Sequence, residues 1–65
     1  MNEEQRAAYI QSQVACAMIE AMGMQAENEQ RIHLSESMAF VYDDFESLLN
    51  KYGIHHNAVI SFMRD

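Results

Sequence analysis

Three histidines, one cysteine and a short run of carboxylates are the residues here whose types could do chemistry. His33, His55, His56 and Cys16 are all metal-ligand types. Their spacing does not suit a metal. Neighbours on a helix point about 100° apart, so His55 and His56 do not converge on one ion. No Cys-x-x-Cys or His-x-x-x-His is present. Surface and capping roles account for these histidines. Asp43, Asp44 and Glu46 are paired carboxylates, the residue type that acid–base catalysis uses. Acids at a helix start have a simpler explanation, because they complement the N-terminal dipole. There is no glycine-rich phosphate loop and no nucleophile elbow. Sixty-five residues leave little room for a desolvated pocket. The chain reads as non-catalytic and free of cofactor.

Charge points to binding instead. The net charge is −6, and it is unevenly spread. Residues 27–46 hold Glu27, Glu29, Glu36, Asp43, Asp44 and Glu46 against Arg31 alone, whereas residues 47–65 hold Lys51 and Arg64 against Asp65. An acidic surface repels nucleic acid and is drawn to basic proteins, those that handle nucleic acid among them. Six methionines are many for so short a chain, and methionine adapts well to irregular partners. Met22 and Met24 flank Gly23 and cannot share a helix face, so one of them is expected near a surface. The expected docking residues are Glu27, Glu29, Glu36, Asp43 and Asp44 for charge, with Tyr42 and Met24 as apolar anchors. Small acidic helical proteins are familiar among phage-encoded inhibitors of host machinery, an analogy of composition alone.

A second reading comes from residues 45–64, FESLLNKYGIHHNAVISFMR. Leu48 and Leu49 are followed by Tyr52, the turn Gly53-Ile54, then Val59 and Phe62. This stretch resembles a DNA-binding helix-turn-helix, in which glycine allows the turn and apolar residues pack the second helix on the first. Leu49 stands where such motifs usually hold alanine. The resemblance implies that His55, His56, Asn57, Ser61 and Arg64 face a major groove and that Lys51 meets phosphate.

The elements that must hold these residues are helices. Proline is absent and glycine occurs twice, which argues for helix almost throughout. Asn2 and Gln5 have capping-box spacing, with Glu3 and Glu4 in the first turn. Ile10, Val14, Ala17, Met18 and Ala21 recur at helical steps. Arg6, Gln13, Glu20 and Glu27 recur every seven residues and read as a polar stripe on the opposite side. Val14 to Ile19 are all apolar, so the apolar face is too wide for a surface helix. Ala7, Ala8, Ala15, Ala17 and Ala21 admit a close neighbour. The expectation is a central helix packed on more than one side, running through Gly23 to about His33; the alternative is a break at Gly23 followed by a separate short helix. Ser35 reads as the next N-cap, with Met38, Val41, Phe45, Leu48 and Tyr52 as one amphipathic stripe. The competing reading leaves 38–42 extended and starts the helix at Asp43, with Asp43 and Glu46 as its capping box. Either helix ends at Gly53 as a left-handed C′ residue. A short last helix is expected from about His56 to Arg64, capped by His55 or Asn57.

These elements make one all-α domain over residues 1–65: a small helical bundle with a long N-terminal helix, a second antiparallel to it, and a third across the end at a helix-turn-helix-like corner. So small a domain is marginal unless something staples it. The lone Cys16 permits no intrachain disulfide. No acid-free apolar leader opens the sequence, and no run suits a membrane span. A reducing, cytoplasmic setting is expected, with a homodimer through the alanine-rich face of the first helix. The overall expectation is a protein-binding regulator or inhibitor that docks on a basic partner, and the rival is a DNA-binding regulator.

Overall fold

The computed structural model describes residues 1–64. Three helices follow in order: α1 (Glu3–His33), α2 (Tyr42–Lys51) and α3 (His56–Met63). The fold is all-α, with no strand among the described residues. No helix is long and apolar enough to cross a membrane. The molecule is a rod, 50 × 17 × 10 Å. α1 is its spine; α2 and α3 return along one side of it, end to end.

α1 starts where its caps dictate. Gln5 N donates to Asn2 Oδ1 at 2.7 Å, and Asn2 N donates to Gln5 Oε1 at 3.0 Å. Gly23 does not break it. The helix ends in a left-handed turn. Ser35 has φ 59°, Ser35 N donates to Ile32 O at 3.0 Å, and Glu36 N donates to Arg31 O at 2.8 Å. These are the two bonds of a Schellman motif. Ser35 therefore closes α1 and does not cap α2. Residues 36–41 are non-helical, which favours the extended alternative for that stretch. α2 opens one residue before the expected Asp43. Its cap differs too: the Asp44 carboxylate accepts from Val41 N at 2.8 Å. It ends as expected at Gly53, φ 64°, with Gly53 N donating to Asn50 O and Ile54 N donating to Leu49 O.

The seam between α1 and the returning chain is thin. Its buried residues are Ala17, Met24, Asn28 and Leu48, with Ile10, Ala21, Phe45 and Tyr52 half-buried. α3 lies beside the start of α1, where the Tyr9 and Phe62 rings sit 5.3 Å apart and Arg6 Nη1 donates to Met63 O at 3.4 Å. The corner at Tyr52–His55 is present. However, the packing pairs among the described residues are α1 with α2 and α1 with α3. The third helix lies along α1, not across the end, and Phe62 packs on α1, not on α2.

The face of α1 that is covered also differs from the expected one. Ile10, Ala17 and Ala21 turn toward the seam, but Val14 and Met18 are exposed. The polar series lies beside the seam, not opposite it. Gln13 Nε2 donates to Tyr52 O at 3.3 Å, and Glu20 holds Lys51 and Tyr52. The cause is the make-up of the returning chain. α2 and α3 bring polar ends and exposed carbonyls, and these find partners in a polar edge. Packed on one side only, α1 leaves most of its wide apolar arc in solvent.

Candidate functional site

Asn28 positions the end of the rod where α1 turns into α2. Its side chain is buried, and it bonds the main chain of the extended segment three times. Ala39 N and Phe40 N both donate to Oδ1 at 2.9 Å, and Nδ2 donates to Phe40 O at 2.8 Å. A single amide thus supplies the partners that a neighbouring strand would supply. It falls on the seam period, seven residues after Ala21 and four after Met24, which was the available signal for it.

Around this tie the chain gathers acids and exposed apolar residues. Glu29, Glu36, Asp43, Asp44 and Glu46 are exposed and Glu27 is half-exposed. Among them stand Ile32, Leu34, Met38, Val41 and Tyr42, all exposed, with Tyr42 at 67%. The expected acidic residues therefore do lie toward one end of the rod. Two have local work as well: Glu27 accepts from Arg31 Nε at 3.0 Å, and Asp44 caps α2. Met24 is corrected: at 8% exposure it belongs to the seam and cannot be an anchor. Met22 is the exposed member of that pair.

Between α1 and α2 runs an open groove of about 680 Å³. Met24, Phe40 and Leu48 line it, and Glu20, Glu27, Arg31, Asp44 and Lys51 rim it. Its rim charges are already engaged. Lys51 Nζ donates to both Glu20 oxygens at 2.7 and 3.0 Å, and Tyr52 Oη donates to Glu20 Oε1 at 2.6 Å. Those two donors, Lys51 first, hold the Glu20 carboxyl below the ordinary carboxylate range. The same bonds raise the Lys51 ammonium and the Tyr52 hydroxyl above their ordinary values. The knot clamps the end of α2 to the middle of α1.

The residues of the DNA-binding reading are spread around α3. His55 caps it, with Nδ1 accepting from Ala58 N at 3.3 Å. His56, Asn57, Ser61 and Arg64 are exposed. Lys51 is held by Glu20. His33 ends α1 at the acidic end, far along the rod from His55, and Cys16 is exposed. No set of three His, Cys, Asp or Glu side chains among the described residues could hold a metal ion. Comparison with protein-family models, with curated proteins and with solved structures finds no match.

Proposed function

We propose that this chain is a non-catalytic protein-binding module, a small regulator or inhibitor that docks its acidic end onto a basic surface of a partner protein. The observation that carries this reading is the company the acids keep. Ile32, Leu34, Met38, Val41 and Tyr42 lie exposed among Glu29, Glu36 and Asp43, around the point where Asn28 ties Ala39 and Phe40 to α1. Charge steers such an encounter and apolar anchors hold it. The chain also acts as a homodimer; Ala17 and Ala21 of the expected alanine-rich face are taken up by the seam, so the pairing face is the outer one that the returning helices leave open, with Ala8 and Ala15 on it.

The rival reading, a DNA-binding regulator, draws less support. α3 is laid against α1 instead of braced across α2, Lys51 is spent on Glu20, and the rest of the surface is acidic.

The test is an affinity capture from lysate, with and without nuclease treatment, using the wild-type chain and two variants. One variant carries Glu36→Gln with Asp43→Asn, the other Tyr42→Ser. The expected result is one protein retained by wild type, released by salt and lost by about tenfold or more from both variants. Retention unchanged in both variants sinks the proposal. So does loss of the captured material on nuclease treatment, with Asn57→Ala and Arg64→Ala abolishing binding.

A further inference from the structure

We propose that the outer face of α1 is covered by α1 of a second copy lying antiparallel to it, with the two-fold axis passing between Met18 and Ile19. This rests on the self-association proposed above and adds its geometry.

The first argument is area. A compact monomer of 7.5 kDa exposes roughly 4,200 Å². This chain exposes 5079 Å². The excess, about 800 Å², is what one partner hides in an interface of ordinary size. Much of it is apolar and on α1: Met18 is 60%, Met22 65% and Ile19 70% exposed.

The second argument is the order of residues along that face. Glu4, Ala8, Gln11, Ala15, Met18, Ile19, Met22, Ala26, Glu29 and His33 are all exposed. From either end the steps are four, three, four and three, meeting at the Met18–Ile19 peptide. The stripe thus has the same spacing read in either direction. Turned about that point onto a second copy, Ala15 meets Met22 and Ala26 meets Gln11, so each small residue receives a large one. Met18 stands level with Ile19 of the other copy, and the two Met18 side chains adjoin across the axis. At the ends Ala8 meets Glu29 and Glu4 meets His33, an acid against the basic residue of a helix C-terminus. A parallel pair sets Glu4 on Glu4, Glu29 on Glu29 and Ala15 on Ala15, with repulsion at both ends and a gap in the middle. Antiparallel helix dipoles add to the preference.

The test uses the full chain with Cys16→Ser, so that no native thiol interferes. Sedimentation equilibrium gives the mass of this parent, and mild oxidation traps neighbours in single-cysteine variants. The expected result is a dimer in which Met18→Cys cross-links to itself roughly tenfold faster than Glu4→Cys, because a disulfide needs Cα atoms within about 7 Å. Glu4→Cys mixed with His33→Cys forms the mixed disulfide. A dimer in which Glu4→Cys links to itself as fast as Met18→Cys overturns the antiparallel arrangement and leaves self-association standing. A monomer at millimolar concentration overturns both. Ile19→Glu provides the reverse check: helical by circular dichroism and monomeric is the expected outcome, and a dimer of unchanged mass overturns the placement of the axis.

Discussion

Ser35 and Gly53 hold the same left-handed backbone position at the ends of two helices, and only one of them is glycine. A side chain in that conformation costs about 1 kcal/mol. Ser35→Gly is therefore expected to stabilise the chain by about 1 kcal/mol in urea titration. Gly53→Ala is expected to destabilise it by about as much, from backbone strain alone, because a Cβ there meets nothing within 4 Å. Equal effects of one sign would refute the comparison. Glu20 gives a pH prediction. Its carboxyl titrates lower in the folded chain than in the unfolded, so its contribution is complete above pH 4.5 and is lost as pH falls through the lowered value. Tyr52 and Lys51 titrate higher when folded. Their contributions are complete below pH 10.0 and 10.5 respectively and are lost as pH rises through the raised values. Melting temperature should be level between these limits and fall outside them. Glu20→Gln should soften both falls, and identical profiles for the two chains would rule out the clamp. Gly53 was legible in the sequence because glycine after an amphipathic run has one common meaning. Ser35 was not, since serine between two helices fits a start as readily as a stop, and only the backbone distinguishes them.

At the scale of elements, the extended segment before α2 has no helix or strand bonds at its centre, and Asn28 supplies the main-chain partners of Ala39 and Phe40. Asn28→Ala leaves Ala39 N, Phe40 N and Phe40 O without the partner they share. The expected cost is about 3 kcal/mol, much of what so small a domain has. Amide exchange should show residues 36–46 opening first, with α1 retained; uniform loss of protection would mean that the tie is not local. The start of α1 and its end near His33 were readable from capping residues and composition, whereas Gly23 fitted a continuous helix and a break alike, and the structure shows the continuous one. Which arc of α1 is covered was not. When two thirds of a helix is apolar, periodicity says that much must be hidden without saying from which side. Here the returning chain lies against Gln13 and Glu20, which bond the Tyr52 carbonyl and the Lys51 ammonium, while Met18 and Ile19 stay exposed.

At the scale of the molecule, a seam with three buried apolar residues among the described residues gives a single chain little to hold it, so folding and pairing are expected to be linked. Melting temperature should climb with protein concentration in the wild type and stay constant in Ile19→Glu, read by circular dichroism over a hundredfold dilution series; a wild type indifferent to dilution would separate the two processes. The 50 Å length of the rod then has a further meaning. A lone chain has one acidic tip. Two chains lying antiparallel about an axis between Met18 and Ile19 have two, facing outward and about 45 Å apart at 1.5 Å per helical residue. Such a pair is a bivalent ruler. Two targets spaced to suit it hold it by avidity, each grip raising the effective concentration for the other, while targets closer or farther apart are gripped singly and released quickly. The spacing of its partners, as much as their chemistry, then decides which of them this protein keeps.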